Sequence, residues 1–441
     1  MKEKYRLLMF ILTLLLGVSL AYFPAFSRVR VDILKNVYVL PAAELVTTKT
    51  YPDIIEMENK YIKVSLLPNR GRLIFDYLFK PTGHTQIYTT ARPVPTMTPI
   101  GYIVEFGGYY LSIPWNPRAR QPYDLEYKII EETAKKAKIY IWGKDPLRRL
   151  LLESWVSIEE GSSIVEIKVR ITNKSRKKWK ISLSDYLVVA PGGKLSNNSF
   201  FLLPASKVII GKSEKEWMGK EGSMVNWPQA WMKWHQFEKF GSFSVDKDMM
   251  RFPFVGISNL DTGDTFLKLW EPPGFFDRLN IWSWGKEYKK IKGGVPTVNF
   301  ENKKEKFTLD PGAQITFNVY FYGLRGIQKL EIVNKDFAGW VDTDKKSYNK
   351  VQGTRITVSS QIGTSKENKA ISVVYFLCKE GEGIGKGVWG WDIGTFSPER
   401  LYETHFKIDI YADDTPIAAT YTDIQAGESL IISPNIILQS G

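Results

Sequence analysis

Cysteine and histidine, the side chains on which most metal and nucleophile chemistry is built, are nearly missing from this chain. Cys378 is the single cysteine, so no internal disulfide can form and a Cys-rich zinc or iron–sulfur site is excluded. His84, His235 and His405 are the three histidines, and no two stand at the short spacing of a His-based metal motif. Any metal would need oxygen ligands, and no cofactor is called for. Helical periodicity is scarce too, which argues against a helix bundle or a doubly wound nucleotide-binding fold. Gly385-Lys386-Gly387-Val388-Trp389-Gly390 fits the glycine spacing of a dinucleotide loop, but no strand-helix-strand unit surrounds it. It reads as a glycine-rich loop that binds no nucleotide.

What is abundant is apolar and aromatic. Of 441 residues, 44% are hydrophobic and 14% aromatic, which excludes a disordered or coiled-coil chain and allows two globular domains. The net charge is +13, but the basic runs Lys174-Ser175-Arg176-Lys177-Lys178 and Lys303-Lys304-Glu305-Lys306 fit solvated strand ends. Without a recognition helix or an aromatic RNA-binding signature, they imply no nucleic-acid partner.

Lys2, Lys4 and Arg6 precede an apolar run from Leu7 to Ala21, with Ser19 and Ala21 in a small-x-small arrangement. Residues 1–27 are therefore expected to be a signal peptide or an N-terminal membrane anchor, the apolar run reaching about 20 residues if extended through Phe26. Either way the protein is exported, to the cell surface, the periplasm or the medium. The membrane is a partner only if the segment stays uncleaved.

Beyond Arg28 the chain is written in strands. Tyr61–Leu66, Ile164–Ile171 and Ile315–Phe321 alternate with period two, and turn signals such as Pro68-Asn69-Arg70-Gly71, Pro191-Gly192-Gly193 and Asp310-Pro311-Gly312 punctuate them. Asp261-Thr262-Gly263-Asp264 reads as a hairpin turn rather than a calcium loop. Leu330, Ile332, Val333, Phe337 and Trp340 recur at roughly helical spacing, so residues 326–345 are expected to form a helical connector. Residues 346–441 repeat the strand pattern over a length that suits an Ig-like β-sandwich.

The stretch from Glu58 through Pro68-Asn69-Arg70-Gly71 to Ile74, followed by Lys80-Pro81-Thr82-Gly83, resembles the opening hairpins of galactose mutarotase-like (aldose 1-epimerase-like) proteins. Three further segments resemble later parts of that family: Phe106-Gly107-Gly108-Tyr109 through Trp115, Ile171-Thr172-Asn173, and Asn280-Ile281-Trp282-Ser283-Trp284-Gly285 followed by Val298-Asn299-Phe300-Glu301. The resemblance is closest to its exported, uncharacterised branch. It implies an all-β chain in which residues 28–325 form a β-supersandwich. It also implies sugar chemistry in which a glutamate acts as general base and a histidine as general acid. Glu301 matches the glutamate by position, whereas Ser184-Asp185-Tyr186 stands where the histidine is expected and His235 is the distant alternative.

Trp227, Trp231 and Trp234 share one segment, and Trp270, Trp282 and Trp284 another. Such rings suit a sugar-binding groove, and equally the core of a large sandwich. Arg72, Asp277 and Arg278 are the polar groups expected to converge with them. The sequence thus points to an exported or tethered carbohydrate-binding protein whose site holds Arg72, Trp231, Trp234, Asp277, Arg278, Trp282 and Trp284, with Glu301 and His235 as the catalytic candidates. A sugar-active enzyme, epimerase-like or lyase-like, and a structural envelope protein without a sugar site are the competing readings.

Overall fold

The computed structural model describes residues 28–35, 53–98, 101–113, 125–145, 148–229, 232–286, 297–344, 347–349, 354–378, 386–410, 418–423 and 437–439. The expected signal or anchor, residues 1–27, lies outside them.

The alternation read in the sequence becomes two large antiparallel sheets packed face to face. The larger has twelve strands among the described residues. It runs from Arg30–Leu34 through Ile54–Glu58, Ile62–Leu67 and Arg72–Phe79 to Tyr109–Ser112, then Trp179–Val189, Val298–Leu309, Arg278–Ser283, Gly241–Asp246, Lys207–Ser213 and Met224–Asn226. His84–Thr85 pairs with Arg72–Phe79 at its side. The smaller sheet follows the order Ser199–Leu202, Phe254–Asn259, Asp264–Glu271, Gln314–Arg325, Ile164–Asn173, Leu150–Glu159, Lys136–Lys144, Glu126–Glu132.

Alternate residues of both sheets meet in one core. Leu187, Ile281, Val298 and Phe300 of the larger sheet pack with Val165, Ile167, Phe266 and Phe321 of the smaller. Burying such side chains contributes about 1.5–3 kcal/mol each, which makes this interface the dominant stabilising term. The intervening residues of the larger sheet, among them Tyr110, Ser184, Tyr186, Asn280, Trp282 and Glu301, lie on its outer face.

The outer face of the smaller sheet is partly covered by the chain that follows it. Phe254, Leu267, Tyr322 and Leu324 form a second apolar cluster with Ile327, Leu330, Val333 and Ala338. The segment expected to be a helical connector is a hairpin instead, Ile332–Val333 pairing with Phe337–Thr343. Asn334 makes the turn, its Oδ1 accepting from the backbone N–H groups of Asp336 at 2.8 Å and Phe337 at 2.7 Å. That turn pairs Val333 with Ala338, and both join the apolar cluster.

The hairpin continues into a four-stranded sheet with Thr354–Thr364 and Tyr402–Ile410. A three-stranded sheet joins Lys386–Phe396, Asn368–Cys378 and Ala418–Asp423. The glycine run read as a loop is therefore strand from Lys386 onward. Phe254–Asn259 and Asp264–Glu271 form a hairpin, and Asp261–Asp264 is its turn, as expected.

Candidate functional site

Glu301 lies at the middle of the larger sheet, in register with Tyr186 on one side and Asn280 on the other. Its side chain is 9% exposed. Ser184 Oγ donates to Oε1 at 2.9 Å and Asn280 Nδ2 to Oε2 at 3.1 Å, so both carboxylate oxygens are held from neighbouring strands. A carboxylate so fixed keeps its remaining lone pairs directed at the outer face.

Tyr186 extends the row. Its ring stacks on Tyr110 with centroids 5.1 Å apart, and the Arg72 guanidinium lies 4.0 Å from the Tyr110 centroid. Arg72 is buried, and its Nε donates to the Gly107 carbonyl at 2.8 Å. Gly107 and Gly108 both take positive φ, where a Cβ on Gly107 would meet the Tyr88 carbonyl oxygen at 2.0 Å. Only glycine allows the turn that starts the Tyr109–Ser112 strand and offers Arg72 that carbonyl.

On the other side stands Trp282, in register with Asn299. Trp282 meets Trp284 edge to face at 5.6 Å, and Trp284 rests against Phe240 at 5.2 Å. Both indoles are half-buried. Asn299 is 2% exposed, and its Nδ2 has no hydrogen-bond partner among the described residues.

A buried ion pair lies behind this row, on the core side. Lys268 Nζ sits 2.5 Å from Asp185 Oδ1, bridging the two sheets. The backbone N–H of Asn302, next to Glu301, donates to the same Asp185 oxygen at 3.0 Å. Burial pushes the Asp185 carboxyl up and the Lys268 ammonium down, each opposed by the attraction of the other.

The remaining sequence candidates are elsewhere. Asp277 accepts from the Glu305 N–H at 2.8 Å and pairs with Lys247 at 3.4 Å, while Arg278 pairs with Asp246 at 2.6 Å. Trp234 is buried in the core rather than open to a ligand. His235 is tied to the Asn197 carbonyl at 2.9 Å and to Gln236, not to Glu301. The other histidines are also engaged away from Glu301, His84 with Asp264 and His405 with Ser359. Trp231 lies outside the described residues. Sequence reasoning missed Tyr110, Ser184, Tyr186, Asn280 and Asn299 as site residues, although all five stand inside segments that the sequence singles out. What it lacked was the cross-strand register that lines them up.

No family model and no curated protein matches the chain. Among solved structures, a TPR-domain containing protein from Parabacteroides distasonis superposes with a TM-score of 0.51 at 15% identity, over 67% of this chain and 55% of that one. The chain thus spans about half the length of that protein. A galactose mutarotase-like protein from Clostridium acetobutylicum matches with a TM-score of 0.46 at 10% identity, over 67% of this chain and 99% of that one. A galactose mutarotase related enzyme from Lactobacillus acidophilus matches with a TM-score of 0.40 at 12% identity, over 64% and 100%. Among the described residues the chain is built of β-strands, most of them in two large antiparallel sheets.

Proposed function

We propose that this is an exported or membrane-tethered carbohydrate-binding protein whose sugar site is the outer-face row of Arg72, Tyr110, Tyr186, Glu301, Asn280, Asn299 and Trp282. One observation carries the reading. A nearly buried carboxylate, fixed by Ser184 and Asn280, shares a sheet face with stacked tyrosines, a tryptophan pair and an orphan amide donor. Alternating ring faces and preset hydrogen-bonding groups are what a sugar, apolar on its faces and hydroxylated at its rim, would require.

Binding is favoured over catalysis because none of the three histidines contacts Glu301, so the acid expected to act opposite that base is missing. A sugar-active enzyme using Glu301 as base remains the second reading, supported by Tyr186 at the register position beside it, where a phenol could supply a proton. In the proposed arrangement, residues 1–27 direct export or tether the chain, residues 28–325 carry the sugar site, and the strand-rich part after the hairpin is an Ig-like sandwich.

A chain beginning at Arg28 should be applied to a glycan array, and the anomer exchange of free hexoses followed by NMR. Saturable glycan binding without accelerated exchange is the expected result. Accelerated exchange that Glu301→Gln abolishes would move the enzyme reading ahead, and neither binding nor exchange would leave the structural one.

A further inference from the structure

Nearly half of the net charge of +13 gathers at one end of the sandwich, where three turns meet. Residues 144–149 lead into Leu150, in register with Asn173, and the Lys174 N–H donates to the Arg149 carbonyl at 3.2 Å. Residues 174–180 follow, and residues 310–313 close against them as the Gly312 N–H donates to the Asn173 carbonyl at 2.9 Å. Together the three turns carry eight cations and two acids. Asp145 is buried and paired with Arg148 at 3.4 Å, and Asp310 is paired with Lys178 at 3.0 Å. Lys144, Arg149, Lys174, Arg176, Lys177 and Lys180 are exposed, with no ion-pair partner among the described residues. The nearby acids are spoken for: Glu153, which feels Lys174 at longer range, is held by Arg170 at 2.7 Å, and Glu305 by Lys303 at 3.0 Å. Exposed Lys306 on one flank and exposed Glu126 on the other offset each other.

The turns hold their shape. Asn173 Nδ2 donates to the carbonyls of Lys177 at 2.8 Å and Leu309 at 3.0 Å, and the Arg148 guanidinium lies 5.9 Å from the Trp179 ring centroid. Arg149 takes a φ of 58°, which glycine adopts freely and arginine does not. Like charges fixed this close repel one another, and a polyanion would relieve them. We propose that this end is a docking surface for a linear polysaccharide that carries carboxylates along its length. Lysines meet such a row as point charges and arginines as forks. A bilayer fits less well, because none of the large apolar side chains exposed among the described residues belongs to these turns, so nothing there would enter the acyl region. Orientation agrees, in a step that rests on the tethered reading above. The Val29 N–H donates to the Ala134 carbonyl, and the strand Lys136–Lys144 runs from that end to this one. A chain tethered through residues 1–27 would therefore present the basic turns away from its own membrane.

The full chain, in non-ionic detergent, should be passed over a biosensor surface of immobilised polygalacturonate, with neutral dextran as control. Binding to polygalacturonate alone is expected, weakening steeply as salt rises from about 0.05 to about 0.5 M. The triple variant Lys174→Gln, Arg176→Gln, Lys177→Gln should lower affinity by about tenfold or more. Arg149→Gly, which removes one charge and suits the local backbone, should lower it by about two- to fivefold with no loss of thermal stability. Lys207→Gln, Lys212→Gln, Lys220→Gln removes as much charge from exposed sites on and after the strand Lys207–Ser213, and should cost about twofold at most. Equal losses in the two triple variants would overturn the proposal, because net charge rather than these turns would be responsible. So would dextran binding as strong as polygalacturonate binding, no binding at all, or tighter binding to duplex DNA or to nanodiscs containing phosphatidylglycerol. Trp282→Ala should leave polygalacturonate bound, and a neutral glycan taken by the Glu301 row should still bind the Lys174, Arg176, Lys177 variant, so failure here and failure of the sugar site are told apart.

Discussion

The carboxylate of Asp185 and the ammonium of Lys268 meet at 2.5 Å with neither side chain exposed, one from each sheet of the sandwich. Tyr109 Oη approaches the other Asp185 oxygen at 3.4 Å, and the Asn302 backbone completes the shell. A charge pair taken wholly out of water gains little net stability over an apolar pair of the same shape. Either charge left alone is expensive. The pair therefore fixes how the two sheets align, and through Asn302 it fixes the strand position of Glu301.

Lys268→Met should destabilise the chain by about 3–5 kcal/mol, because Asp185 would be left buried without its counter-charge. The double variant Asp185→Leu with Lys268→Met should recover much of that loss. Denaturant unfolding of the single and double variants measures both values, and a double variant no better than the single one would show that the pair itself holds the sheets.

Asp76 provides a pH dependence of known sign. Its carboxyl is pushed up to about 6, by burial first and by the neighbouring Glu56 as well, against the backbone N–H of Tyr77 and the charge of Lys63. The folded chain holds this proton more tightly than the unfolded chain, whose carboxyl titrates at the ordinary value of 3.8. Stability from Asp76 is therefore full below about pH 4 and falls as pH rises to about 6, by about 3 kcal/mol at most. Asp76→Asn should flatten that part of the stability curve, which unfolding at a series of pH values checks directly.

Asp264 ties one end of the molecule together. Its buried carboxylate accepts from Thr82 Oγ1 at 2.5 Å, His84 Nδ1 at 2.8 Å and Gln86 Nε2 at 2.8 Å. Removing it leaves the Gln86 amide with only the His84 carbonyl, at 2.9 Å, as acceptor, and so one of its two N–H groups buried and unpaired, at a cost of about 1–3 kcal/mol. Asp264→Ala should thus raise hydrogen exchange at residues 82–86 before it affects the centre of the sheets. A uniform rise across both sheets would mean that the hairpin turn is part of the global unfolding unit.

The strands were legible because burial on one face imposes period two, as Ile164–Asn173 shows by alternating core and outer residues. The helical connector was misread for a local reason: the hairpin closed by Asn334 buries Leu330, Val333 and Phe337, whose spacings of three and four residues also fit one face of a helix. The site was half legible. Glu301, Trp282, Trp284 and Arg72 stand in recognisable motifs, yet Tyr110, Tyr186 and Asn280 join them only through pairing between strands far apart in the chain. Register across a sheet is set by the whole core rather than by any local signal. Trp234 illustrates the converse, since an indole suited to a groove also fills a core.

If the outer-face row binds sugar, its two ends should respond differently to substitution. Trp282→Ala removes a half-buried ring and the edge on which Trp284 rests, and should cost about 1–3 kcal/mol of glycan affinity. Glu301→Gln keeps the shape but exchanges one carboxylate oxygen for an amide, so that either Ser184 Oγ or Asn280 Nδ2 faces a second donor. Ser184 can rotate its hydroxyl and accept, whereas the Asn280 amide must turn to offer its oxygen. The variant is therefore expected to fold and to lose affinity modestly, by less than the tryptophan truncation. Calorimetry with a glycan identified on the array measures both losses. A loss at Glu301→Gln larger than at Trp282→Ala would make the carboxylate charge, rather than ring stacking, the main determinant of recognition.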